Sequence, residues 1–262
     1  QTMLELASEI SQFQDKLKRF VKGKPGSLLL VEFAGTELSS LKQKLKELDE
    51  LMEAHGFKDA VVEAIDPKLQ KEVWDVRKSG LNIMMSMKGD GKPVSCIEDC
   101  AVELPDLAEY TSRLNELFEK YGTTGTWYAH ASVGCLHVRP VLNMKQEIDA
   151  KKLRAITEET FAIVQEYKGS HSGEHGDGLV RSEFHELMYG KRIVNAFEEI
   201  KKIFDPSSLL NPGKIVKPSR MDDRRLFRYG PDYKPSNINS GLDWSEWGGF
   251  DRAVEMCNNN GA

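Results

Sequence analysis

Apolar residues recur at steps of three and four along much of the chain, which is the spacing of one buried face of an α-helix. This pattern predicts helices at residues 2–22, 36–56, 67–87, 105–122, 153–167 and 193–204. Short apolar or alternating runs between them predict β-strands at residues 28–33, 60–64, 94–102, 124–129 and 135–141. From Lys217 onward this helical spacing is lost and turn-forming residues increase, so we expect an extended segment on a surface or a linker.

Single helices separate most of the predicted strands, an order that can belong to several fold classes. No strand is followed by the G-x-G-x-x-G loop that binds phosphate in dinucleotide-binding folds. The glycines at 173, 176 and 178 have a different spacing. We therefore predict an α+β fold in which helices pack on one sheet.

Composition narrows the class of protein further. The 262 residues are 40% hydrophobic and 29% charged, with a net charge of −5, which argues against both global disorder and a dedicated nucleic-acid binder. No apolar run approaches the roughly 20 residues of a transmembrane helix, and no secretion signal opens the chain. The four cysteines are sparse, so we expect reduced thiols in a cytoplasmic protein.

Two histidines enclose a predicted hairpin, in the run His-Ala-Ser-Val-Gly-Cys-Leu-His at residues 130–137. A turn at Val133 and Gly134 would place His130 and His137 directly opposite each other, with Cβ atoms about 4.5–5.5 Å apart. Two imidazoles at that separation can bind one divalent cation. Two ordinary histidines in a hairpin remain the alternative.

A second polar motif is Gly-Glu-His-Gly-Asp-Gly at residues 173–178. In extended chain Glu174 and His175 point apart, so that one could complete a metal site while the other faces a substrate as a general base. A polar surface loop remains the alternative for this motif.

These two motifs, followed by Phe-Asp-Pro at 204–206 and Leu-Asn-Pro-Gly-Lys-Ile at 210–215, resemble the C-terminal half of the FAD-linked oxidases. These flavoproteins are of the vanillyl-alcohol-oxidase type and include D-lactate dehydrogenase, glycolate oxidase and D-2-hydroxyglutarate dehydrogenase. The resemblance implies a ferredoxin-like sheet with helices on it. It implies an N-terminal helix at 1–25, an FAD-linked oxidase C-terminal domain at 26–216 and a linker at 217–262.

The resemblance also implies roles for individual residues. His130, His137 and Glu174 would bind a divalent metal, often zinc in the family, and His175 would be the catalytic base. Arg77 occupies the place of an arginine that holds the substrate carboxylate. Arg139 stands where many members have asparagine, and it could bind a second carboxylate or form a structural ion pair.

Further positions resemble parts of the larger enzymes. Asn211 and Lys214 resemble residues beside the flavin, although turn chemistry explains them as well. The pair Glu98-Asp99 is expected to make fold or domain contacts. An FAD-binding domain is expected before Gln1, and Cys257 resembles the first cysteine of a following ferredoxin-like domain with a 4Fe–4S cluster.

The sequence thus predicts part of an FAD-dependent enzyme that oxidises a D-2-hydroxy acid, such as D-2-hydroxyglutarate, D-lactate or glycolate, to the 2-oxo acid. This fragment alone is expected to be inactive. A non-catalytic small-ligand-binding or oligomerisation module with structural histidines is the main alternative, and a zinc hydrolase is the least favoured. The oligomeric state, including a homo-oligomer, stays open.

Overall fold

The computed structural model describes residues 2–236 and 238–257, and it divides into two compact units between Ser86 and Met87. The domain boundaries implied by the resemblance, at 25/26 and 216/217, stay predictions.

The first unit is helical. Its helices are α1 (Thr2–Glu9), α2 (Ser11–Phe20), α3 (Leu38–Ala54), α4 (Pro67–Lys78) and α5 (Gly80–Met85). The predicted helix at 2–22 is interrupted at Ile10, and the one at 67–87 is interrupted at Ser79. The start of α4 is fixed by Asp66, whose side chain accepts the backbone N–H groups of Lys68 and Leu69. The hydrophobic cluster of this unit draws its buried residues from α1, α2, α4 and α5: Ala7, Phe13, Leu17, Val76 and Ile83.

The strands predicted at 28–33 and 60–64 are wrong. Neither segment forms a regular element, and neither has a ladder partner among the described residues. Leu29 is 75% exposed, so its apolar side chain is not covered by a neighbouring element of the described chain. An apolar run favours a strand conformation, but only a hydrogen-bonded neighbour makes it part of a sheet.

The second unit contains the sheet. Its strands are β1 (Lys92–Pro93), β2 (Cys100–Ala101), β3 (Gly125–His130) and β4 (Cys135–Leu142), and all pairings are antiparallel. β4 is central, with β3 along one edge and with β1 and β2 on the other. The strand predicted at 94–102 is thus only partly present, because residues 94–99 leave the ladder between β1 and β2 and Asp99 adopts a φ of 75°.

Helices cover this sheet and complete the unit. They are α6 (Leu107–Lys120), α7 (Glu147–Glu166), α8 (Gly178–Arg181), α9 (His185–Tyr189), α10 (Lys191–Phe204) and α11 (Phe250–Glu255). The spacing of apolar residues predicts α6, α7 and α10 but not the short helices α8, α9 and α11. The core packs β4 against α6 and α7, with Tyr110, Ile156 and Phe161 at 0% exposure.

The C-terminal segment lies on the second unit. Met221 is buried in the core of that unit. Lys145, just before α7, forms ion pairs with Asp90 and with Glu255 of α11. These contacts join the last described helix to the loop before β1.

The structure can be compared with what the sequence predicts for the fold class, the cysteines and membrane-spanning helices. The α+β class is confirmed by the small antiparallel sheet with its covering helices. The ferredoxin-like arrangement remains a prediction. Cys96, Cys100, Cys135 and Cys257 are free thiols. In the described ranges, no helix has the length and apolar character required to cross a bilayer.

Candidate metal and catalytic site

The hairpin of β3 and β4 places His130 and His137 on one face of the sheet, but in a different register from the predicted one. His130 lies opposite Cys135, and His137 lies opposite Tyr128. The two histidines are therefore diagonal neighbours, and their ring centroids are 5.0 Å apart. The expectation of direct opposition is wrong, whereas the expected proximity of the two imidazoles is confirmed.

The turn between these strands depends on Gly134. Its φ is 69°, a left-handed conformation that disfavours any side chain. A Cβ atom there would lie 1.8 Å from the carbonyl oxygen of Val102. The segment after β2 can therefore approach this turn so closely only because residue 134 is glycine.

The second motif is held in place by Asp99. Its carboxylate accepts the backbone N–H groups of Gly173, Glu174 and His175 at 2.8–2.9 Å. Burial raises the pKa of this carboxyl, but the N–H groups of His175 and Glu174 outweigh burial, and the net pKa lies below its ordinary value. Asp99 is completely buried and ionised, and it fixes the loop that carries Glu174 and His175.

At the end of the hairpin, one carboxylate oxygen lies close to a ring nitrogen of each of two histidines. The Oε1 atom of Glu174 lies 3.2 Å from Nε2 of His130 and 3.1 Å from Nε2 of His137. Donors of a tetrahedral zinc ion with bonds of about 2.0–2.1 Å stand about 3.3 Å apart, so both separations suit such an ion. Two imidazoles and a carboxylate are also the donor set of many catalytic zinc sites.

Asp99 also brings a carboxylate oxygen close to this group. One donor atom from each of Asp99, His137, Glu174 and His175 lies within 4.8 Å of the other three. Because the carboxylate of Asp99 already accepts three backbone N–H groups, we assign it to positioning the loop.

Glu98 is a buried carboxylate behind the histidines. Its Oε1 atom lies 3.6 Å from Nδ1 of His137 and 3.9 Å from Nδ1 of His175, and it pairs with the guanidinium of Arg139. Burial lowers the pKa of His137, and the charge of Glu98 only partly opposes this. His137 is therefore neutral near pH 7, the form that binds a metal.

His175 lies next to the three donors. Its ring stacks on that of His137, with centroids 5.1 Å apart and an interplanar angle of 16°. Its Nε2 atom is 3.6 Å from Oε1 of Glu174, and its side chain is 45% exposed. His175 can therefore be reached by a small molecule held at the three donor atoms.

Of the other candidate residues, Arg139 lies next to Glu98, behind the histidines. Arg77, Asn211 and Lys214 are not among the donor atoms described above. Arg139 is 6% exposed, and it binds Ser95 as well as Glu98. Arg77 is half-buried on α4, in the first unit. Asn211 is exposed and Lys214 half-buried in the loop after α10, which is anchored where Ile215 N donates to Oγ of Ser182.

Three residues, Glu98, Asp99 and Arg181, contribute to the site in ways that the sequence does not predict. Asp99 and Glu98 were expected to make only fold or domain contacts, yet they position the candidate ligands and the candidate base. Arg181, at the end of α8, donates to the carbonyl oxygens of Glu98 and Gly176 and lies 3.4 Å from the carboxylate of Asp99. The acidic pair is visible in the sequence, but its position next to a loop some 75 residues later is not.

Comparisons with known proteins show which family the chain resembles. Residues 1–215 match the family model described as "FAD linked oxidases, C-terminal domain". The chain is 31% identical over 239 residues to D-2-hydroxyglutarate dehydrogenase of Pseudomonas putida, covering 89% of this chain and 23% of that protein. It is 29% identical to the enzyme of the same name from Escherichia coli, over 74% of this chain and 20% of that protein.

A more distant relative is the mitochondrial D-lactate dehydrogenase [cytochrome] of Arabidopsis thaliana, 27% identical over 72% of this chain and 33% of that protein. The chain thus spans between a fifth and a third of the length of these relatives. Because the family model matches more than half of the chain, the protein belongs to the FAD-linked oxidase C-terminal domain family.

Proposed function

We propose that the chain is the substrate- and metal-binding part of an FAD-dependent enzyme that oxidises a D-2-hydroxy acid to the 2-oxo acid. The observation that carries the proposal is the convergence of Glu174 with the Nε2 atoms of His130 and His137, next to the accessible His175. The relatives named as D-2-hydroxyglutarate and D-lactate dehydrogenases supply the substrate class.

In this proposal His130, His137 and Glu174 hold a divalent ion, for which zinc fits the donors best. A bound ion of this kind lowers the pKa of a hydroxyl group that it contacts. His175 accepts the proton of the substrate hydroxyl as a general base. Loss of that proton from oxygen and of a hydride from C2 leaves the 2-oxo acid, and a flavin would supply the hydride acceptor.

The carboxylate of the substrate needs a cationic partner. Arg77 is proposed for this role on the resemblance to the family. For Arg139, the contacts with Ser95 and Glu98 favour the ion-pair role over binding of a second carboxylate. Arg139 then keeps Glu98 oriented behind His137 and His175.

The remaining parts of the proposal concern the full-length protein. FAD would be held mainly by another domain, with Asn211 and Lys214 near it. Cys257 is exposed and would be the first ligand of a following iron–sulfur domain, but the rest of that motif, at 258–261, lies outside the described residues. Unbridged cysteines support a cytoplasmic location.

The test uses the full-length protein that contains this chain, with FAD and metal content measured before each assay. We expect it to reduce a dye acceptor with a D-2-hydroxy acid but not with the L-enantiomer. His175→Ala should lower kcat by about 10²-fold or more while metal and flavin content stay unchanged. His130→Ala should lower the metal content.

His55→Ala is the matched control, because His55 is exposed at the end of α3 and should have no effect. A flavin- and metal-loaded protein that oxidises no D-2-hydroxy acid would overturn the proposal. Unchanged metal content in the His130→Ala variant would favour a module with structural histidines.

A further inference from the structure

A second group of donor atoms lies within the second unit, beyond the candidate site. It consists of His171, Asp177 and His185, each of which offers one ligand atom within 4.8 Å of the other two. Nε2 of His185 lies 2.7 Å from Oδ2 of Asp177, and Nε2 of His171 lies 3.6 Å from Oδ1 of the same carboxylate. His171 and His185 are 0% and 2% exposed.

Several polar atoms of this cluster are buried without a hydrogen-bond partner among the described residues. Both ring nitrogens of His171, Nδ1 of His185 and Oδ1 of Asp177 lack a hydrogen-bond partner in the described part of the chain. Leaving a buried donor or acceptor unsatisfied destabilises the folded chain. The aromatic surroundings, which include Phe161 and Tyr189, offer little compensation.

We propose that His171, Asp177 and His185 form a second metal site, for a divalent first-row transition ion of the zinc class. Two imidazoles and one carboxylate suit such ions, whereas Mg²⁺ and Ca²⁺ prefer oxygen ligands. The separation of 3.6 Å between His171 and Asp177 is close to the spacing of donors around one tetrahedral ion. The 2.7 Å contact of His185 would open by less than 1 Å.

The protonation state of the cluster suits the proposal. Burial lowers the pKa of His171 to about 4, against the opposing charge of Asp177. At neutral pH its imidazole is uncharged, with a lone pair available to a metal.

Arg181 is the charge that opposes cation binding. Its Nε atom lies 3.7 Å from Oδ1 of Asp177, but its guanidinium also interacts with Asp99 and with the carbonyl oxygens of Glu98 and Gly176. Asp177 can therefore turn toward an ion without leaving Arg181 unpaired. The nearby positive charge should make this site weaker than an equivalent site without it.

A metal at this position would be structural. His171 and Asp177 enclose the segment that carries Glu174 and His175, and His185 begins α9. One ion would therefore join both ends of this loop to the helix behind it. The inference rests on these three residues and does not depend on the proposed oxidase activity.

The test uses the 262-residue chain without an affinity tag. A background with His130→Ala, Glu174→Ala and His175→Ala removes two donors of the first site and the adjacent candidate base, all at half-exposed positions. We expect this background to retain about one equivalent of Co²⁺ or Zn²⁺ per chain by dialysis and elemental analysis, with the visible spectrum of low-coordinate cobalt. Adding Zn²⁺ should raise its Tm.

Adding Asp177→Asn to this background should weaken Co²⁺ binding by about tenfold or more and abolish the rise in Tm, because the substitution removes the only anionic ligand. His185→Gln provides a second variant if Asp177→Asn fails to fold. Asp232→Asn, at an exposed position, is the control.

The proposal is overturned if the background binds no metal, or if Asp177→Asn and His185→Gln bind it as tightly as the background does. Failure of the first site would appear separately, as equal metal content in the wild-type chain and the background.

Discussion

Replacement of Asp99 by asparagine tests whether this buried carboxylate positions the loop at residues 173–175. The substitution preserves the shape of the side chain but removes its charge and one of its two accepting oxygens. The amide group then presents N–H donors toward backbone N–H groups. The loop that carries Glu174 and His175 should therefore lose its main anchor.

The magnitude follows from the contacts that are lost. Asp99 accepts three backbone N–H groups at 2.8–2.9 Å and pairs with Arg181 at 3.4 Å. A single hydrogen bond to a charged group is worth about 1.5–3 kcal/mol, and breaking a buried ion pair costs about 3–5 kcal/mol. Because these contributions overlap, and because asparagine keeps one oxygen, we expect a loss of about 3 kcal/mol in the free energy of unfolding.

The lowered pKa of Asp99 also determines the direction in which its contribution to stability changes with pH. The pKa of Asp99 is lower in the folded chain than in the unfolded one, so the stability that it contributes is present above about pH 4. This contribution is lost as pH falls through the folded pKa. The difference in stability between the wild type and Asp99→Asn should therefore shrink as the pH falls below about 4.

Urea denaturation followed by circular dichroism measures both effects, with the exposed Asp232→Asn as the control. A difference of less than about 0.5 kcal/mol at pH 7 between Asp99→Asn and the wild type would refute the reasoning, since substitutions at unremarkable surface positions have effects of this size.

Other substitutions test separate parts of the structure. Glu98→Gln should weaken zinc binding by the 262-residue chain about 10–100-fold in a chelator competition, and unchanged affinity would contradict its orienting role. Gly134→Ala should destabilise the chain by about 2 kcal/mol or more in urea denaturation, because its Cβ would overlap the Val102 carbonyl oxygen. Gly122→Ala is the matched control, with a similar φ of 61° but open space around the added Cβ, and an equal loss would show that backbone strain alone matters. In metal-depleted protein the pKa of His171 is about 4 in the folded chain, below its value in the unfolded chain. The stability that its neutral ring contributes should therefore be fully present above about pH 6.5 and decline as the pH falls toward 4. His171→Leu should flatten that decline in urea midpoints measured from pH 7 to pH 4, and an unchanged slope would refute the assignment.

The sequence predicted which residues come together in the candidate site better than the arrangement that holds them. His130 and His137 were expected on one face because residues of a hairpin alternate between two faces. The actual pairing, His130 with Cys135, differs from the expected one by two residues, and a shift of two preserves the face. The short helical turn at residues 131–133 sets this register, and the alternation of side chains does not reveal it.

Long-range contacts account for what local patterns missed. The strand predicted at 94–102 breaks because Asp99 turns its carboxylate into the loop at 173–175, and nothing near Asp99 in the sequence marks that partner. The segments 28–33 and 60–64 have strand-like composition, yet a ladder needs a neighbour that composition does not specify. The helices were easier, because their apolar spacing can be read from their own residues, even in α3 and α10, where no residue is buried.

Two acids on either side of Arg181, the buried Asp99 and the half-buried Asp177, hold the loop of the candidate site in place. Asp99 binds the loop at its start, at residues 173–175, and Asp177 holds its end beside His185. Arg181 lies within 4 Å of both carboxylates, so neither anchor is electrostatically independent of the other. A charge change at Asp177, by substitution or by a bound cation, therefore alters how strongly Arg181 interacts with Asp99. The position of Glu174 and His175 depends on this shared guanidinium, although the hydrogen bonds of Arg181 within the described residues go to Glu98, Asp99, His171 and Gly176 and not to Glu174 or His175.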